Sequence, residues 1–197
     1  MPLEMKPLAC DPQAIPGMSE RLIVSHYENN YAGALKRVNA IRKQLAELDY
    51  ANAPIFVVNG LKREELIAAN SVILHELFFE SLGKGGEPDA NLAAALARDF
   101  GGVDRWRAEF TAIGKAMGGG SGWVLLTYSP RAGRLVNQWA SDHAHGLIDG
   151  RPILALDMYE HSYHMDYGAK AAAYVDAFMR AIDWAGAGAK FRAATGR

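Results

Sequence analysis

Apolar positions at helical spacing dominate the first half of the chain. Leu22, His26, Asn30, Ala34, Val38, Ile41, Leu45 and Leu48 recur every three to four residues, which predicts one helix over about 19–48. Its face is apolar in the second half and polar at His26 and Asn30. Ser19, followed by Glu20 and Arg21, is a helix start. Pro2, Pro7, Pro12 and Pro16 keep residues 1–18 extended. After a break at 49–54, Leu66, Ile67, Ser71, Leu74, His75, Phe78 and Leu82 share one broad stripe, predicting a second helix over 62–82. Two long helices with a short connection form an antiparallel hairpin.

Beyond the glycine-rich linker at 83–88 the pattern changes. Shorter helical stretches at 89–100 and 103–117 end at the glycine run 118–122. Residues 123–128 and 134–139 read as strands joined through Pro130, Arg131, Ala132 and Gly133, a hairpin signal. A third apolar strand, 152–157, precedes a helix expected over 167–184, and the Gly/Ala-rich tail from 185 is weakly specified. The fold class is α+β. An N-terminal unit, 1–86, holds the extended segment and the helical hairpin. A C-terminal α/β domain, 87–197, carries a small three-stranded antiparallel sheet flanked by helices.

Half of the 197 residues are hydrophobic, enough for a substantial core. Lys plus Arg is 21 against 22 for Asp plus Glu, so no basic excess points to nucleic acid or to a membrane surface. No apolar run is long enough to span a bilayer, and the N-terminus lacks the apolar core of a signal peptide. The single cysteine, Cys10, cannot form an internal disulfide, so a reducing, cytoplasmic setting is expected.

Histidine is the scarce resource. Six occur, at 26, 75, 143, 145, 161 and 164, in three separated regions, which suits a site assembled by folding. Asp157 ends the third strand and His161 follows four residues later, oxygen and nitrogen donors suited to manganese, iron or zinc. Their structural alternatives are a helix cap and a packed core histidine. His75 lies between Leu74 and Phe78, where burial is expected. A buried imidazole loses about 1–3 kcal/mol for each ring nitrogen left without a partner, and a metal or a carboxylate would supply one. If the hairpin aligns His26 with His75, Asp157 and His161 can close a site of three imidazoles and one carboxylate, with a position left open.

Four stretches, in order, resemble the iron/manganese superoxide dismutase family. They are His26-Tyr27-Glu28-Asn29-Asn30-Tyr31, His75-Glu76-Leu77-Phe78-Phe79, Gly120-Ser121-Gly122-Trp123 and Asp157-Met158-Tyr159-Glu160-His161-Ser162-Tyr163. The resemblance spans about 15–184. It implies His26, His75, Asp157 and His161 as ligands of one iron or manganese ion per chain, and superoxide as substrate. It also implies a homodimer in which Glu160 of one subunit reaches His161 of the other.

Against the family pattern, Asn30 replaces a second helical histidine and Ala34 a gateway tyrosine. His164 stands where a tyrosine usually meets that histidine across the dimer, so Asn30 and His164 read as paired changes. Tyr31 and Tyr27 are the candidates to fill the funnel. The family's outer-sphere glutamine falls at Ser71, too short for the task, or in the sheet at His143, which is favoured over His145 as the group hydrogen-bonded to solvent on the metal. The losses at Asn30 and Ala34 motivate a second reading: a dismutase-like metal-binding protein with little activity, serving as a binding or assembly component. A zinc hydrolase is a third, but no general base is evident for it.

Overall fold

Ser19 opens the first helix as expected, its Oγ accepting from the Leu22 N–H at 3.1 Å. The computed structural model describes residues 2–196. The predicted first helix is present but is not uniform. It runs as α1 (Glu20–Ser25), a π-helical segment (His26–Tyr31) and α2 (Ala32–Glu47). The π segment has a physical consequence. In an α-helix, residues five apart are separated by about 140° around the axis. The i→i+5 bonding of a π turn brings them to the same side, and here both His26 and Tyr31 are buried.

α3 (Ile55–Glu80) packs along α2 and begins seven residues before the predicted start at 62. Pro54 provides its N-terminal boundary. The first turn escapes the periodicity because Ile55 and Phe56 are 86% and 74% exposed and belong to no buried stripe. α4 (Ala90–Phe100) is capped by Asp89, whose Oδ1 accepts from the Leu92 N–H at 2.9 Å, and stops at Gly101 in the left-handed region. α5 (Val103–Ala116) follows.

The sheet is the expected three-stranded antiparallel one. β1 (Trp123–Ser129) lies between β2 (Arg134–Ala140) and β3 (Arg151–Asp157). Pro152 is tolerated because β3 is an edge strand, and the register shifts between Leu126 and Thr127 beside it. At the other end Trp123 pairs with both Ala140 and Asp157.

The helix expected over 167–184 is a correction. α6 (His164–Tyr167) ends at Gly168, with φ 53°, before α7 (Ala171–Arg180) begins. The tail then forms α8 (Trp184–Thr195), with Trp184, Ala187, Phe191 and Ala194 buried. Its stripe is hard to read in the sequence because small residues lie on every face.

One continuous core joins the two parts, including Val38 and Phe78 of the hairpin, Leu154 and Leu156 of β3, and Phe178 of α7. The Phe178 ring stacks on Phe78 and on Phe110. Ser81, just past α3, ties this helix to β3: its Oγ accepts from the Ala155 N–H at 3.1 Å. That contact sets the end of the sheet against the helix carrying His75.

Candidate metal centre

Each donor is delivered by a different device. Asp157 is the last residue of β3, and its backbone carbonyl accepts from Tyr174 Oη and Ser162 Oγ, both at 2.8 Å. Its Oδ1 accepts from the Tyr159 N–H at 2.9 Å, which leaves Oδ2 to face inward. The same turn leads into a single 3-10 turn, Glu160–Ser162, that places His161 Nε2 3.2 Å from Oδ2. His26 opens the π segment, and its Nε2 lies 3.2 Å from the same oxygen without hydrogen-bond alignment. On α3, His75 Nδ1 is 2.6 Å from the carbonyl of Ser71. A carbonyl only accepts, so the proton is on Nδ1 and the lone pair is on Nε2. That Nε2 sits 3.8 Å from Asp157 Oδ2.

The donor atoms of His26, His75, Asp157 and His161 all lie within 4.8 Å of one another. Donors about 2.1 Å from a central ion, at about 90–110° to each other, are about 3.0–3.4 Å apart. The distances to Oδ2 match or slightly exceed that edge. Chemistry agrees with geometry. His26 Nε2 and His75 Nε2 are buried without a hydrogen-bond partner, and so is His26 Nδ1. Among the described residues no Lys or Arg pairs with the fully buried Asp157 carboxylate. A buried carboxylate needs a counter-charge, and two orphaned lone pairs need an acceptor of electrons. A metal cation meets both needs, so the residues present fit iron or manganese.

Burial is the main cause of the low proton affinity of both inner histidines. It pushes His75 down to about 3, helped by the neighbouring His26, and it lowers His26 against the opposing pull of Asp157. For Asp157 burial alone would raise the carboxyl; the His161 and His26 imidazoles outweigh it and hold the group below the usual range. Neutral imidazoles and an ionised carboxylate are the forms that bind a cation.

A cleft of about 240 Å³ opens onto this cluster, lined in part by Asn30, Ala34, Arg37, Ser71, His143 and His161. His161 reaches it with 27% of its side chain exposed. Of the two sheet-loop histidines, His143 lines the cleft, whereas His145 is exposed and bonded to Ser141. The indole of Trp123 donates to His143 Nδ1 at 2.9 Å, and Asn70 donates to the His143 carbonyl at 2.7 Å. Tyr159 stacks on His143 at 4.8 Å and on His161 at 5.4 Å. Tyr31 is not brought to the cleft lining; its hydroxyl donates to Glu76 on the other side of the hairpin. Glu160 and His164 are exposed, beside His161 in sequence.

The sequence profile of the iron/manganese superoxide dismutases, C-terminal domain, matches residues 88–190. A protein of Cupriavidus metallidurans named "Superoxide dismutase [Fe]" is 72% identical over 191 residues, covering 97% of each chain. The chain belongs to the iron/manganese superoxide dismutase family. More distant members are similar over most of their length too. "Superoxide dismutase [Mn] 1" of Halobacterium salinarum is 36% identical over 92% of this chain and 90% of its own. "Superoxide dismutase [Fe]" of Aquifex aeolicus is 34% identical over 88% and 84%. One iron or manganese ion per chain follows from this membership and from the donor cluster.

Sequence reasoning misses the π segment, the roles of Trp123 and Tyr159 as supports for His143, and Arg37 at the cleft. Tyr159 carries a signal, lying between Asp157 and His161 in the most informative run of the chain. Trp123 reads only as the start of the sheet.

Proposed function

We propose that the chain is a superoxide dismutase with His26, His75, Asp157 and His161 as its metal ligands. The observation that carries this is the buried Asp157 Oδ2 among three imidazole nitrogens, with no Lys or Arg partner among the described residues. When bound, the ion supplies one-electron exchange: one superoxide loses an electron and leaves as dioxygen, and a second gains one, with two protons, and leaves as hydrogen peroxide. The protein's part is to hold, orient and supply protons. Because Trp123 occupies His143 Nδ1, the neutral ring carries its proton on Nε2, a donor at the cleft lining. The Arg37 guanidinium adds positive potential where a small anion enters, moderated by its ion pair with Glu64. Asn30 and Ala34 present short side chains to the same cleft.

Protein stripped of metal is expected to be inactive, and reloading with iron or with manganese to restore superoxide loss in a direct spectrophotometric assay. No activity with either metal would overturn the proposal. His143→Ala is expected to keep its metal and to lose about 10–100-fold in turnover. Unchanged turnover would remove His143 from proton supply. The low-activity reading is not favoured, since a 72% identical relative over 97% of both chains is named a dismutase.

A homodimer is part of the same reading. Glu160, His164 and Met165, the last by 45%, are exposed within four residues of the partly exposed His161, where a carboxylate from a second copy would orient its ring. Sedimentation is expected to show a dimer, and Glu160→Ala to weaken it at least about tenfold, since truncating a buried, hydrogen-bonded charge costs about 2–5 kcal/mol. A wild-type monomer at working concentration would contradict this. Division into 1–86 and 87–197 is supported by the family profile starting at Pro88. A cytoplasmic setting is supported by the lone Cys10, and among the described residues no helix is long and apolar enough to cross a membrane. A net charge of −1 leaves no basic excess to favour nucleic acid as partner.

A further inference from the structure

The extended N-terminal segment is stitched to the hairpin through residues that do not line the cleft. At its start Leu3 and the Asn39 amide exchange two hydrogen bonds, each of 2.9 Å. Three residues on, Lys6 uses all three of its polar groups. Its N–H donates to Tyr31 Oη at 3.0 Å, its carbonyl accepts from Tyr27 Oη, and its ammonium pairs with Glu76. Tyr31 Oη in turn donates to Glu76 Oε1 at 2.9 Å. The Tyr31 side chain is buried, and burial raises its phenol to about 12, so it stays protonated and able to donate.

The two elements joined here both carry ligands. Tyr31 closes the π segment that His26 opens, and Glu76 follows His75 directly on α3. The ring of Phe79 fills the gap between them, 5.2 Å from His26 and 6.3 Å from Tyr31. The π turn makes this possible: in a plain α-helix Tyr31 would point about 140° away from His26 and could not face α3 beside it. We propose that Lys6, Tyr31 and Glu76 form a brace that fixes the spacing of His26 and His75, so that the N-terminal segment governs how tightly the metal is held. These are positioning residues. They touch neither the ion nor the substrate, and they act through the backbone of the two ligands. The brace rests on the four-ligand reading above.

The test is the rate at which metal-loaded protein surrenders its ion to excess EDTA, well below the unfolding temperature. Tyr31→Phe keeps the ring and deletes the hydroxyl shared by Lys6 and Glu76. It is expected to release metal about tenfold faster and to shift the ligand-field absorption of the bound ion. Asn137→Ala is the control, because it deletes the remote acceptor of the Trp106 indole N–H and weakens the fold away from the site. It is expected to lower the thermal midpoint while leaving release rate and spectrum as in wild type. Equal acceleration by Asn137→Ala would reduce the effect to general destabilisation and overturn the brace. Wild-type protein that holds metal while Tyr31→Phe matches its rate and spectrum would overturn the brace alone. Wild-type protein that retains neither iron nor manganese would overturn the metal site as well.

Discussion

Asp157→Asn is expected to remove metal and activity together while leaving the fold in place. The substitution preserves shape, and the remaining carbonyl can still accept from the Tyr159 N–H as Oδ1 does now. The strand-end contacts from Tyr174 and Ser162 go to the backbone oxygen and are untouched. What disappears is the one anionic donor among the four. An amide offers a cation a dipole in place of a full charge, in a buried place where charge interactions are strong. Changes to groups merely supporting a ligand cost about 10–100-fold in metal affinity, so loss of the charged ligand itself is expected to cost at least about 100-fold. Elemental analysis, superoxide assay and circular dichroism check the three parts separately. A variant with wild-type metal content would refute the assignment of Asp157.

Acid is expected to destabilise the metal-free protein from near neutrality downward. His75 is pushed down to about 3 by burial, and His26 is lowered for the same reason. In the unfolded chain both titrate near the ordinary histidine value of about 6.5. Between those limits the unfolded state binds protons that the folded state refuses, so stability falls as pH falls. Each histidine contributes about 1.4 kcal/mol per pH unit across its window. Asp157, also held low, adds loss in the same direction once pH drops below its unfolded value of about 3.9. Urea unfolding of metal-free protein at several values between about pH 7 and about pH 4 measures the slope. His75→Gln should flatten it by about half in the upper part of that range. A flat profile would mean that the inner histidines take up protons freely in the fold.

Both expectations rest on residues that stand out in the amino-acid sequence. His75 does so because a titratable side chain interrupts an apolar helical stripe, whereas His26 lies on the polar half of the first helical face and stands out only through its pairing with His75 and the family motif. Asp157 and His161 do so because a buried strand ends at one and the other follows at four residues. The sheet is legible as well: short apolar runs, a hairpin turn with Pro130 and Gly133, and an edge-compatible Pro152 are local signals. The tail helix is not, since Gly and Ala give little contrast between its faces, and the turn at Gly168 is hidden inside an aromatic, alanine-rich run.

By itself, then, the sequence determined the order of the hairpin helices and the three strands and offered the candidate donors, because periodicity and residue type are properties of neighbours along the chain. Tertiary structure decided the rest. Whether Tyr31 faces the cleft or the N-terminal segment depends on one π turn, whose i→i+5 bonding rotates it to the side of His26 and away from α-helical expectation. Which of His143 and His145 lines the cleft depends on an indole twenty residues earlier that donates to only one of them. Which nitrogen of His75 is free depends on a carbonyl one turn back being within reach, at 2.6 Å. Hydrogen bonds and packing across the fold select a rotamer or a tautomer only once the chain has closed, and no spacing of letters encodes that choice.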